Sequence, residues 1–96
     1  HTPEPLHLYR YFVLPLVVGA RLVGRLDAKA HRREGVFEVK ALYLEEGIVA
    51  DEALAQSVAR AIDDCAHWHM TPRVTLGRCR PAAFARLLRT QLAAMR

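Results

Sequence analysis

Ninety-six residues amount to one domain, because a chain of this length buries roughly 60–65% of the surface its unfolded form exposes and has material for a single core. With 52% hydrophobic and 25% charged residues the composition is that of a globular protein, which excludes a disordered or low-complexity chain. The longest apolar stretch, Tyr11 to Ala20, falls far short of the ~20 residues a membrane-spanning helix needs, so a soluble, cytoplasmic protein without membrane contact is expected. The net charge of +4 is segregated: residues 21–40 hold six basic and three acidic groups, residues 41–72 one basic and six acidic, and residues 73–96 six arginines and no acid. Such asymmetry permits a polyanionic partner, since cations facing a phosphate backbone release counterions on binding, although the same pattern also suits a plain solvated surface.

In chain order, His1-Thr2-Pro3-Glu4-Pro5 places two prolines in five residues without apolar periodicity, and residues 1–7 read as a linker or lead-in to a domain over residues 8–96, as if cut from a larger protein. From Leu8 to Val18 aromatic, β-branched and leucine residues predict a strand, with Pro15 pointing to an edge or a bulge. After the Gly19-Ala20 connection, alternation predicts a second strand with Leu22, Gly24, Leu26 and Ala28 inward and Arg21, Arg25, Asp27 and Lys29 outward. The polar turn His31-Arg32-Arg33-Glu34-Gly35 leads to a third strand, with Phe37, Val39, Ala41 and Tyr43 inward and Glu38 and Lys40 outward. These three strands make an antiparallel meander.

Beyond Glu45-Glu46-Gly47 the period becomes helical, with Leu54, Val58, Ala61, Ile62, Cys65 and Trp68 on one face, Asp51 as N-cap and Pro72 as terminator. Residues 73–79 alternate again as a short fourth strand with Val74 and Leu76 inward. Pro81 suits a first helical turn, and Phe84, Leu87, Leu88, Leu92 and Met95 line one face of a closing helix. The expected fold is α+β in the order β-β-β-α-β-α, the meander joined by a fourth strand and two packed helices.

Catalytic signatures are absent from the sequence: it has no glycine-rich phosphate loop, nucleophile elbow or His-Glu-x-x-His. The adjacent pairs Glu45/Glu46 and Asp63/Asp64 present no carboxylates across a shared site, so no catalytic residue and no cofactor are expected. Cys65 and Cys79 read as buried thiols in a reducing compartment, with pairing open in principle. In Cys65-Ala66-His67-Trp68-His69, helical geometry turns His67 away from Cys65 and His69, and no second ligand pair follows, so no metal site is expected. The strongest functional feature is basic: Arg21, Arg25, Lys29, His31, Arg32 and Arg33, with Lys40 on the returning strand, form a ribbon able to offer cations to DNA phosphates. The competing reading is a hairpin charged to keep its edge from aggregating. Arg78, Arg80, Arg86 and Arg89 make a second candidate patch.

The string Tyr11-Phe12-Val13-Leu14-Pro15-Leu16, then Gly19, Arg21-Leu22-Val23-Gly24-Arg25-Leu26-Asp27-Ala28-Lys29-Ala30 and Gly35-Val36-Phe37-Glu38-Val39, resembles the carboxy-terminal region of the winged-helix crosslink-repair DNA glycosylases, the YcaQ-like proteins. About a dozen positions over nearly thirty residues carry the likeness, and the later elements follow the order of that family's tail. The resemblance implies a longer parent with winged-helix units ahead of this domain, which hydrolyses the N-glycosidic bond of alkylated or crosslinked bases in DNA. The family's catalytic Gln-x-Gln or Gln-x-Asp motif has no counterpart here, since Gln56 and Gln91 lack the required neighbour. An accessory role in holding DNA is therefore expected, with residues 21–29 as support and DNA-facing surface; the alternative is a structural domain that docks on winged helices or self-associates through a strand edge.

Overall fold

The computed structural model describes residues 9–95, with side chains from Tyr11 onward. The expected lead-in, residues 1–7, lies outside the described residues. Six elements occur in the expected order: β1 (Tyr9–Val18), β2 (Arg21–His31), β3 (Val36–Leu44), α1 (Glu52–Trp68), β4 (Arg73–Arg80) and α2 (Phe84–Ala94). The α+β class holds, and one sheet of order β1-β2-β3-β4 contains all four strands. β1, β2 and β3 form the antiparallel meander, joined by turns at Gly19 and Gly35 whose φ of 65° and 73° suit glycine. β4 is parallel to β3. Its direction follows from α1, whose 17 residues span ~26 Å and return the chain along the ~30 Å of β3 to that strand's starting end.

Asp51 caps α1, its carboxylate accepting from the Leu54 N–H at 2.9 Å. Both helices contribute to one core on a single face of the sheet. Leu26, Phe37, Val39 and Leu42 from the strands meet Val58 and Ile62 of α1 and Phe84 and Leu88 of α2, all fully or nearly fully buried. Thr71, the buried polar residue after α1, satisfies its hydroxyl on the Ala66 carbonyl at 3.1 Å.

Three face assignments differ from strict periodicity, each for a local reason. In the β1/β2 ladder Leu16 pairs with Gly24 and Val17 with Leu22, so Val23 is an extra residue. This bulge buries Val23 and leaves Leu22 exposed, reversing the expected alternation at the start of β2. In the β2/β3 ladder Asp27 pairs with Ala41 and Ala28 with Val39, so Lys40 is the extra residue. Leu42 consequently enters the core, and Tyr43, expected inward, stands on the other face beside Arg25. On α1 the seam runs through Ala55, Val58, Ala59, Ile62 and Ala66, while Ala61 and Trp68 point to solvent. Alanines let the helix approach the sheet closely, whereas the large residues suggest a stripe rotated from the true one. Pro81, expected in the first turn of the closing helix, instead precedes it in a turn where Phe84 N–H donates to the Pro81 carbonyl at 3.1 Å.

Candidate nucleic-acid interface

With both helices on one side, the opposite face of the sheet is open among the described residues. Its side chains follow from the register. Pro15, Arg25, Tyr43 and Arg80 form one row across the four strands; Val13, Asp27, Ala41 and Arg78 form the next; Tyr11, Lys29, Glu38 and Thr75 form a third. Arg78 and Arg80 flank Cys79, which is buried opposite Leu42, so alternation puts both arginines on the open side. The face thus gathers Arg25, Lys29, Lys40, Arg78 and Arg80 against two carboxylates, Asp27 and Glu38.

The cations lie among aromatic rings. The Arg25 guanidinium sits 4.4 Å from the Tyr43 ring centroid, and the Lys29 and Lys40 ammonium groups lie 5.0 and 5.5 Å from that of Tyr11. Contacts of this kind are worth about 0.5–1 kcal/mol at exposed sites and fix cations without neutralising them. Among the described residues Arg25, Lys40, Arg78 and Arg80 make no ion pair. Tyr11 remains 60% exposed and its neighbour on the same face, Val13, 72%. One carboxylate is engaged: the His31 Nε2 lies 2.8 Å from the Glu38 Oε1. That hydrogen bond, with lesser help from the Lys40, His31 and Lys29 charges, holds the Glu38 carboxyl below its ordinary value against the opposing effect of burial.

The seven residues singled out from sequence do not form one patch. Arg25, Lys29 and Lys40 share the open face, and His31 stands at its end against Glu38. Arg32 and Arg33 are exposed in the β2–β3 turn, which the Arg73 N–H ties to the α1–β4 loop through a 3.0 Å bond to the Gly35 carbonyl. Arg21 lies apart. As the partner of Val18 beyond the bulge it turns to the helix side, where it shares a hollow of about 360 Å³ with Asp51 and Ser57. The β2 strand separates it from His31 by ~34 Å. Of the second arginine patch, Arg78 and Arg80 join the open face, whereas Arg89 of α2 donates to the Leu76 carbonyl at 3.0 Å along the β4 edge and shares a hollow with Arg86. Tyr11 and Tyr43 lie outside the set read from sequence: the Lys40 bulge turns Tyr43 to this face, and the place of Tyr11 beside Lys29 depends on the β1/β2 register, which only the assembled sheet supplies.

Other chemistry is sparse. Cys79 is buried and Cys65 half-buried, both as free thiols, and burial raises the pKa of each, with the Arg89 charge opposing at Cys79. His67 bonds the Asp63 carbonyl at 2.9 Å, and His69 packs on the Phe12 ring at 4.3 Å. Among the described residues no three His, Cys, Asp or Glu side chains are placed to hold a metal ion, and no helix is long and apolar enough to cross a membrane. The hollows are shallow and apolar-lined; one of about 440 Å³ between β4 and α2 is bounded by Val74, Leu76, Arg89, Leu92 and Ala93. No model of a known protein family matches the chain, and no solved structure matches it significantly.

Proposed function

We propose that this domain is a DNA-backbone-binding accessory unit of a larger winged-helix DNA glycosylase of the kind its β1–β3 sequence resembles, with catalysis supplied from outside residues 1–96. The observation that carries the DNA contact is the open sheet face, where five cations from three strands lie around two tyrosines and, among the described residues, Arg25, Lys40, Arg78 and Arg80 form no salt bridge. Cations fixed on a rigid sheet at strand spacing meet phosphates without the entropy cost of ordering a loop. Arg32 and Arg33 extend the same positive field past the end of β2. Binding of this kind is strong at low salt and indifferent to sequence.

Fluorescence-anisotropy titration of the 96-residue chain with a labelled duplex tests the reading. Arg25→Glu/Arg80→Glu should abolish binding at low salt, and Arg32→Glu/Arg33→Glu should weaken it. A folded wild-type domain that leaves the duplex free at low salt overturns it. A docking role has its own support in Val13, Val17 and Leu22, which are 72, 55 and 52% exposed along the β1 side of the same face. On that reading neither the wild type nor the two charge-reversal variants binds the duplex, and a partner covers β1.

A further inference from the structure

We infer that the open face takes an unpaired DNA strand, with a base stacked on Tyr11 and its flanking phosphates on Lys29 and Lys40; this rests on the DNA-binding reading and specifies its ligand. Phosphate charge alone would not select between a duplex and a single strand. Exposed ring surface does. In a duplex the base faces are stacked on each other, and a protein surface reaches only edges, sugars and phosphates. An unpaired base offers its π-face, and stacking it on an aromatic side chain is worth about 1–3 kcal/mol.

Tyr11 fits that role by position. It lies on the edge strand β1 with 60% of its surface exposed, and two ammonium groups from β2 and β3 lie within 5.5 Å of its ring centroid. An exposed aromatic ring with two ammonium groups within reach offers a nucleotide both of its partners, since its base and its phosphate are covalently joined a few ångströms apart, and a stacking base takes the place of the mobile lysine heads over the ring. Val13, two residues along the same strand and 72% exposed, continues the apolar track. A second unit, Tyr43 with Arg25 and the adjacent Arg80, lies two rows away: four residues along the strands is ~13 Å, and two strands across is ~10 Å. The diagonal matches a short run of extended nucleotides crossing the strands from Tyr11 toward Tyr43.

The test compares a labelled 12-nucleotide oligothymidylate with a 12-base-pair duplex of mixed sequence, titrated with the full 96-residue chain, its Tyr11→Ala variant and its Tyr11→Phe variant. The expected result is tighter binding to the single strand, weakened about 5- to 100-fold by Tyr11→Ala and retained by Tyr11→Phe, with duplex affinity unchanged in both. Circular dichroism of the two variants confirms that the sheet is intact, and Tyr11→Phe carries the conclusion should the alanine variant unfold: a phenylalanine that preserves single-strand preference supports stacking, whereas loss of the preference with Phe assigns it to the phenol hydroxyl and overturns the inference. Equal affinity for both nucleic acids, or equal weakening of both by Tyr11→Ala, also overturns it while leaving backbone binding intact. Failure of the wild type to bind either one refutes the DNA-binding reading itself.

Discussion

Replacing Arg78 and Arg80 by glutamine removes two of the five open-face cations while leaving β4 paired to β3 through its backbone and Cys79 in the core. Each phosphate neutralised on B-DNA adds about 0.9 to the slope of log affinity against log salt, so five contacts give a slope of about −4.5. Between 50 and 200 mM salt the wild-type affinity should then fall about 500-fold. With three cations left the slope becomes about −2.7 and the fall about 40-fold. Anisotropy titrations at four or five salt concentrations measure both slopes, and thermal unfolding of the variant checks that the fold is unchanged. An unaltered slope in the variant would show that β4 does not face the phosphates, and the argument from alternation about Cys79 would fail as a guide to function. A wild-type slope near zero would remove the electrostatic reading altogether.

Gly24→Ala should destabilise the domain by about 1–3 kcal/mol in urea unfolding, because a Cβ there falls well inside contact distance of the Tyr43 carbonyl oxygen and 3.1 Å from the Leu44 Cα, backbone atoms that cannot swing aside. Phe84→Ala should cost about 3–5 kcal/mol in the same assay, since its fully buried ring is the anchor of α2 in the core. Glu38 contributes a pH-dependent part of stability. Its carboxyl has a lower pKa folded than unfolded, so its stabilising contribution is complete above the ordinary carboxylate range and is lost as pH falls through the depressed value. Urea unfolding of Glu38→Gln should therefore show a shallower loss of stability than the wild type over about pH 5 to 2, and parallel curves would contradict the His31–Glu38 assignment. Cys79 should resist a thiol reagent until the protein unfolds and Cys65 should react slowly, because burial disfavours the thiolate of both; rapid labelling of Cys79 in the native state would contradict its place in the core.

The order of elements, the antiparallel meander, the Asp51 cap and the inward Val74 and Leu76 are all local matters of period, turn chemistry and capping, and the sequence carries them in runs of ten or so residues. What it could not carry was any quantity that depends on a partner strand. The extra residues Val23 and Lys40 exist only relative to the ladders they interrupt, yet they decide that Leu22 and Tyr43 stand outside the core and that Arg21 leaves the company of Arg25 and Lys29. A period of two has no memory across such an insertion, because one added residue moves every later side chain to the other face. The parallel course of β4 is likewise set by the length of α1 against β3, and it is that pairing which brings Arg78 and Arg80 beside Tyr43 from more than thirty residues away in the chain. Residue types and local order were therefore fixed by sequence, while the membership of the basic and aromatic face was decided by register, a property of the assembled sheet.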